Sequence, residues 1–181
     1  GAGRTDAPDV LAGIRDVAAG VPLAGCSSVA GISPSGHEEG GVVLVALGGD
    51  GLQVSTGVAR DIADWQRTAG STLASGVGLP KDLPHQVLLL FTDGAVSGQQ
   101  EVLPGVYGVL GASVPVFGAA ASPPSDDEPD EACYQLHGRG TGADEVLSGA
   151  AVGVTLSSAA PIRIGLRQGW RAQGPPMTVT E

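Results

Sequence analysis

Residues 87–94 read Val87-Leu88-Leu89-Leu90-Phe91-Thr92-Asp93-Gly94, and they give the clearest indication of the fold. The first five form an unbroken apolar run, which predicts a β-strand covered on both faces. Asp93 then stands at the carboxyl end of that strand, where open α/β sheets bind their ligands. A second interpretation stays open, in which Asp93 is a turn residue that bonds its own backbone before Gly94.

Upstream of this strand, the pattern predicts a helix, a strand, a loop, a hairpin and a second helix. Pro8 suits the first turn of a helix, and Gly20 is a natural end for it. The Gly-rich stretch 48–51 is typical of a hairpin turn. The predicted elements are a helix at 8–19, a strand at Val21–Ser27, a loop or short arm at Val29–Gly41, paired strands at Val42–Leu47 and Leu52–Ala59, and a helix at 61–75.

Downstream, strands and helices do not alternate strictly, so the pattern is not that of a pure βαβ fold. Residues 97–100 have the spacing of a capping box, which predicts a third helix that Pro104 and Gly105 interrupt. The remaining predicted elements are strands at Val114–Phe117, Ala132–His137, Val146–Leu156 and Ile162–Arg167, and an exposed acidic, proline-rich loop at 122–131. This order predicts a single α/β or α+β domain with a mixed β-sheet and flanking helices.

The chain is acidic, with 9 basic and 19 acidic residues and a formal net charge of −10. Because nucleic acids and anionic membranes are bound through clustered Lys and Arg, we expect neither partner. Charged residues interrupt the N-terminal apolar positions, and Pro, Gly and Ser break the long uncharged stretches, so we expect no signal peptide and no transmembrane helix. Cys26 and Cys133 are far apart without a CxxC motif, which indicates reduced thiols and a cytoplasmic protein.

A group of small residues follows the first predicted strand: Gly25, Cys26, Ser27, Ser28 and Gly31. A nucleophile at a strand end, close to free backbone N–H groups, is typical of acyl-transfer sites. A cysteine nucleophile would need a histidine base, and none of the three histidines has a diagnostic spacing to Cys26. They are His37, His85 and His137. The alternative is a packed thiol beside a tight turn.

Motifs for metal and phosphate binding are weak. His37-Glu38-Glu39 lacks the i, i+4 pair of a zinc helix, and residues 126–131 lack the spacing and closing Glu of a calcium loop. No GxGxxG follows a predicted strand, and no GxxxxGK[ST] loop occurs, so we expect no metal or phosphate site. Trp170 follows Gly169 at a predicted strand-to-turn position, where its indole can face a pocket.

Five further segments lie in a distinctive order along residues 20–181: Leu23–Ser28 with Gly31-Ile32, Gly36–Glu39 before Val42–Leu47, Leu88–Asp93, Val114–Ala119, and Gln168–Thr180. Taken together and in this order, they resemble the N-terminal domain of the FIST family (F-box and intracellular signal transduction proteins). The sequence departs from the family at Ala119 and Ala172, where a glycine and a proline are usual.

The resemblance implies a bacterial sensory domain at 20–181, preceded by a helix within residues 1–19 that is a shortened start of the family's domain. It also implies a small, amino-acid-like ligand and a signalling partner, either a C-terminal FIST partner domain or a separate signalling protein. Some family members bind haem, which here would need an axial ligand from one of the three histidines. The sequence holds no haem-ligand motif, so we expect no cofactor.

Three functions therefore remain open. The leading prediction is a domain that binds a small molecule and has no catalysis of its own. The alternatives are a hydrolase with Cys26 or Ser27 as nucleophile, and a scaffold that only packs against another domain. In the leading prediction, Asp93 pairs with an amine or hydroxyl of the ligand and Trp170 forms an apolar wall. The predicted pocket residues are Gly25, Cys26, Ser27, Asp93, Gly118, Gly169 and Trp170.

Overall fold

The apolar run at 87–91 lies within the longest strand of the computed structural model, which describes residues 6–39, 41–123, 132–166 and 173–174. The helices in the described residues are α1 (Ala7–Val17), α2 (Gln66–Gly76) and α3 (Val102–Leu110), with short 3₁₀ helices at Ile62–Asp64 and Gln99–Glu101. The strands are β1 (Leu23–Cys26), β2 (Ala30–Ser33), β3 (Gly36–Glu39), β4 (Leu52–Ala59), β5 (His85–Asp93), β6 (Val116–Ala121), β7 (Gln135–Gly138), β8 (Glu145–Leu147) and β9 (Ala151–Ser158).

The larger sheet has four strands in the order β4–β9–β5–β6. β9 lies between β4 and β5 and is antiparallel to both, whereas β5 and β6 are parallel and are connected through α3. On β5, Leu88 and Leu90 point towards the helices, and Leu89 and Phe91 point to the opposite face. The apolar run is therefore covered on both faces, as predicted.

α2 and α3 pack against each other on one face of this sheet. Two glycines let the helix backbones approach closely. A Cβ at Gly70 would lie 2.1 Å from the carbonyl oxygen of Val102, and one at Gly105 would lie 1.9 Å from that of Arg67. Leu73 is fully buried between these helices and the sheet. This close approach forms a core from small and aliphatic residues, as expected for a chain with 3% aromatic residues.

The smaller sheet, β1–β7–β8, is antiparallel and covers the other face of the larger sheet. Its central strand, β7, contacts β4, β5 and β9. α1 packs beside this sheet, where Nη2 of Arg15 donates to Oδ1 of Asp144 at 2.7 Å and Nη1 donates to the carbonyl oxygen of Val21 at 2.6 Å. The domain thus has helices on one side, the four-stranded sheet in the middle, and the three-stranded sheet with α1 on the other side.

Two predictions for residues 29–47 are wrong. The loop predicted at Val29–Gly41 contains a hairpin, in which β2 pairs with β3. The strand predicted at Val42–Leu47 does not form, although the turn before β4 does. This segment lines a cavity instead of pairing with the outer edge of β4. Its apolar residues predict an extended chain, but they do not specify which surface the chain will contact.

Three later predictions also need correction. α3 continues through Pro104 and Gly105, because Pro104 lies in the first turn, where a missing N–H breaks no helical hydrogen bond. No capping-box hydrogen bond forms at 97–100. The strand predicted at Val146–Leu156 is divided into β8 and β9. Residues 162–166 of the strand predicted at Ile162–Arg167 form no strand, and Arg167 lies outside the described residues.

The predicted fold class is confirmed: a single domain with mixed β-sheet and flanking helices, better described as α+β. Across the part of the chain that the structure describes, every helix is too short or too polar to cross a membrane. Most of the acidic loop predicted at 122–131 lies outside the described residues, since positions 124–131 are not among them.

Candidate functional site

A cavity of about 500 Å³ lies beside β1, next to the junction of the two sheets. Its floor is the face of the larger sheet that points away from α2 and α3, with Leu89, Phe91, Phe117 and Leu156. The walls come from α1, from β1 and the following turn, from β7, and from the extended segment 41–47. The wall residues include Val10, Ile14, Leu23, Ala24, Gly25, Cys26, Ser27, Ser28, Tyr134 and Leu136. None of the lining residues that the structure describes carries a charge.

Cys26 ends β1, and its half-buried thiol lines the cavity. Burial, with a smaller contribution from nearby Cys133, raises the pKa of the Cys26 thiol to about 11. The thiol is therefore protonated at neutral pH. A protonated thiol is a poor nucleophile and only a weak hydrogen-bond donor. Cys26 thus contributes shape to the cavity more than reactivity.

Ser27 joins three segments of the chain. Its Oγ donates to the carbonyl oxygen of Ser122 at 2.6 Å and accepts the N–H of Tyr134 at 3.0 Å. Its backbone N–H donates to the carbonyl oxygen of Tyr134 at 2.9 Å. Because the buried hydroxyl is already committed in both directions, it holds the wall of the cavity in place.

Asp93 ends β5 and is buried, but it does not line the cavity. Its Oδ1 accepts the N–H of Ala95 at 2.9 Å, which is the turn interaction of the second interpretation. Its Oδ2 accepts the N–H of Gly149 at 2.7 Å and ties β5 to the turn between β8 and β9. Asp93 also lies close to Cys133, whose pKa is raised first by burial and then by this negative charge. The Asp93 carboxylate therefore holds backbone near the cavity and does not face the cavity itself.

Gly118 lies on β6 and belongs to a different surface. It lines a separate hollow of about 430 Å³ next to α3, together with Thr92, Gln99 and Leu103. A Cβ at Gly118 would lie 1.8 Å from the carbonyl oxygen of Leu90, so a glycine is required for the pairing of β5 with β6. Gly169 and Trp170 lie outside the described residues. Of the seven predicted pocket residues, the structure brings only Gly25, Cys26 and Ser27 to the cavity.

A cluster of polar side chains between the two sheets was not predicted from the sequence. His137 is 3% exposed, and its Nδ1 lies 3.0 Å from Oε2 of Glu145, its neighbour on β8. Arg60 binds the other carboxylate oxygen of Glu145. This arginine, followed by His137, lowers the pKa of Glu145. Strand alternation places Gln135 and His137 on one face, but the sequence gives no signal for partners that come from β8 and from the residue after β4.

Two buried side chains of this group keep unpaired atoms. Within the described part of the chain, Nε2 of His137 and both amide atoms of Gln135 are buried without a hydrogen-bond partner. Gln135 pairs directly with Cys26, and His137 follows two residues later on the same face of the smaller sheet. Diagonal neighbours of this kind have Cβ atoms about 7 Å apart. Neither ring nitrogen of His137 hydrogen-bonds to Cys26, since Nδ1 faces Glu145 and Nε2 has no partner, so the contact between a nucleophile and its base is missing.

The cavity offers no evident ligands for a metal or for haem. Within the described residues, no group of three or more His, Cys, Asp or Glu side chains could hold a metal ion. None of the three histidines lines the cavity. The described lining of the cavity therefore supplies no histidine ligand for a haem iron.

The comparisons with known proteins give one family match. A search of curated proteins finds none that matches this chain. The profile of the FIST N domain matches residues 2–181, which is nearly the whole chain. That family is linked to sensing in signal transduction. The chain belongs to the FIST N domain family.

Proposed function

We propose that this domain binds a small molecule in the cavity beside β1 and acts as a sensory domain without catalysis of its own. The observation that carries the proposal is the cavity itself, whose volume of about 500 Å³ falls within the usual range for ligand sites. It is lined by residues from both sheets and from α1. A ligand bound there would contact both sheets and α1 at once. Binding would then favour one arrangement of these three parts over another, which is how a ligand changes the state of a sensor.

The wall of the cavity is held by hydrogen bonds that a ligand does not have to replace. The hydroxyl of Ser27 connects β1 to Ser122 and Tyr134, and Asp93 fixes the turn that follows β5. A preformed wall lowers the entropy that binding must overcome. These contacts favour ligand binding over a scaffold role, because a scaffold does not require a cavity of this size.

The hydrolase alternative has less support. The high pKa of Cys26 and the commitment of the Ser27 hydroxyl to two backbone groups both disfavour nucleophilic attack. His137 is oriented by Glu145, as a catalytic base would be, but its Nε2 has no hydrogen-bond partner and therefore makes no contact with Cys26. We therefore propose binding without reaction.

The proposed setting is the cytoplasm of a bacterial cell, and the proposed partner is a second FIST domain or a separate signalling protein that responds to the bound state. Two features support this setting: Cys26 and Cys133 are both free thiols, and the family is linked to signal transduction. The net charge of −10 disfavours nucleic acids and anionic membranes as partners.

The proposal is tested by filling the cavity. A Cβ at Gly25 would touch only the Leu136 side chain, at 3.8 Å. The side chain of Gly25→Leu therefore fills part of the cavity without a backbone clash. Gly13→Leu is the matched control, because a Cβ at Gly13 on α1 would meet nothing within 4 Å. A small-molecule library is screened by thermal shift on the wild type and on both variants.

We expect at least one compound to raise the Tm of the wild type and of Gly13→Leu but not that of Gly25→Leu. At a concentration 100 times its Kd, a ligand stabilises the folded state by about 2.7 kcal/mol. For a domain of this size, this corresponds to a shift of roughly 5–10 °C. A library without a hit, or a shift that persists unchanged in Gly25→Leu, would contradict the proposal.

A further inference from the structure

We infer that the ligand of the cavity beside β1 is an uncharged, largely aliphatic molecule, and not an amino acid or another zwitterion. This inference rests on the proposed function, because it names the chemical class of the ligand for the same cavity. It differs from the amino-acid-like ligand that the family resemblance implied.

The first support is the charge of the lining. None of the described lining residues is acidic or basic, although charged residues make up 15% of the chain. Three charged groups on neighbouring elements already have partners: Asp93 accepts two backbone N–H groups, Glu145 binds Arg60 and His137, and Arg15 binds Asp144. An amino acid would bring an ammonium and a carboxylate into a cavity that offers neither a counter-ion. Desolvating an unpaired charge is strongly unfavourable.

The second support is the state of the polar lining side chains. The Ser27 hydroxyl is committed to Ser122 and Tyr134, and the Ser28 hydroxyl donates to the carbonyl oxygen of Ala30 at 2.7 Å. The Cys26 thiol is protonated and is a weak donor. A ligand with many polar groups would therefore lose hydrogen bonds to water and replace few of them with bonds to these three side chains.

The third support is the aliphatic wall at 42–47. Val42, Leu44, Val45 and Leu47 line the cavity and are exposed, between 55% and 73% of their surface. An aliphatic ligand would remove this surface from water along with its own, at about 0.8 kcal/mol for each buried methylene. Burial of apolar surface is thus the main free energy that this cavity can offer to a ligand.

The test compares three ligands that share an eight-carbon chain and differ in the charge of the head group, and it adds L-leucine as a zwitterion. The uncharged fluorescent probe N-phenyl-1-naphthylamine is bound to the protein at pH 7 and displaced with octan-1-ol, octanoate, octylammonium or L-leucine. We expect octan-1-ol to displace the probe at a concentration about tenfold or more below that of each charged competitor. Because the chain carries a net charge of −10, both octanoate and octylammonium must be weaker than the alcohol, which rules out long-range charge as the cause.

A charge variant tests the same point from the side of the protein. Ser28 is an exposed lining residue at the rim, so Ser28→Lys adds an ammonium to the cavity, and Ser35→Lys adds one to an exposed turn outside its lining. We expect Ser28→Lys to strengthen octanoate displacement about tenfold relative to octan-1-ol, and we expect Ser35→Lys to leave this ratio unchanged.

The outcomes separate this inference from the function on which it rests. If L-leucine or octylammonium displaces the probe better than octan-1-ol, in a manner that Gly25→Leu abolishes, the ligand class is wrong and the binding function stands. A probe signal that Gly25→Leu does not reduce shows binding elsewhere on the surface and overturns the inference. If neither the probe nor any library compound binds in a Gly25-dependent manner, the proposed function fails as well.

Discussion

Two residues that the sequence marked for chemistry hold the backbone of the site instead. Asp93 accepts N–H groups from Ala95 and Gly149, and the Ser27 hydroxyl links Ser122 to Tyr134. The positions of both residues at strand ends could be predicted from the local sequence pattern, and so could the turn interaction of Asp93. The bonds to Gly149 and Ser122 could not, because those partners lie 56 and 95 residues away in the chain.

The thiol of Cys26 gives a direct test at this scale. Its pKa, raised to about 11, predicts at least about 100-fold less thiolate at pH 7.5 than an ordinary cysteine has. We expect alkylation of Cys26 by iodoacetamide to be slower by about tenfold or more, because the greater nucleophilicity of a more basic thiolate offsets part of this factor. Its rate should keep rising up to about pH 11. The rate is followed by mass spectrometry of the Cys26 peptide.

Ser35→Cys supplies the matched control, since it places a thiol on an exposed turn of the same protein. Its alkylation should reach half of its maximum near the ordinary cysteine value, about pH 8.5. A Cys26 profile with a midpoint at or below that of the control would show an activated thiol and would reopen the hydrolase alternative.

At the scale of elements, the local pattern predicted which segments form helices and strands more reliably than it predicted which surfaces those segments contact. β5 and α1 follow from an apolar run and an apolar stripe, which are properties of the segment itself. Residues 42–47 have the same apolar character as a strand, but they line the cavity because no described strand pairs with them. The wall of the candidate site is formed by this segment, so the site could be predicted only as far as Gly25–Ser27.

The packing of α2 on α3 predicts opposite effects for two glycines on one helix. Gly105→Ala would place a Cβ 1.9 Å from the carbonyl oxygen of Arg67, whereas a Cβ at Gly108 would meet nothing within 4 Å. We expect Gly105→Ala to lower the free energy of unfolding by about 2 kcal/mol or more, because the helices must separate. Gly108→Ala should raise it by about 0.5–1 kcal/mol through helix propensity.

Urea unfolding of both variants measures these differences. Equal effects of the two substitutions, in either direction, would mean that the helix backbones do not approach each other as described.

Across the whole molecule, Glu145 joins the two sheets. It comes from the smaller sheet and binds His137 there, and it also binds Arg60, which directly follows the β4 strand of the larger sheet. The pKa of Glu145 is lowered by Arg60 and His137, so the folded state favours its ionised form. The stability that this group contributes is present above the ordinary pKa of a glutamate, about 4.3, and is lost as the pH falls through the lowered value.

We therefore expect Glu145→Gln to reduce the free energy of unfolding at pH 7 by about 1 kcal/mol. The difference from the wild type should shrink as the pH falls from 5 to 3, because the wild-type carboxylate becomes protonated. Urea unfolding at a series of pH values gives this difference. Asp82→Asn removes a negative charge from an exposed turn and serves as the control. A difference that stays constant between pH 7 and pH 3 would contradict the prediction.

The central place of β9 bears on how the domain is made. β4 and β5 are not neighbours in the larger sheet, and each pairs with β9, which ends about 100 residues after β4 does. At about 5–20 residues per second, a ribosome takes roughly 5–20 s to cover that distance. During this time β4 has emerged without its partner, and its backbone groups are open to association with other chains. The yield of folded protein in the cell should therefore depend strongly on chaperones and on the speed of translation. The stability of the finished domain alone would not predict this dependence.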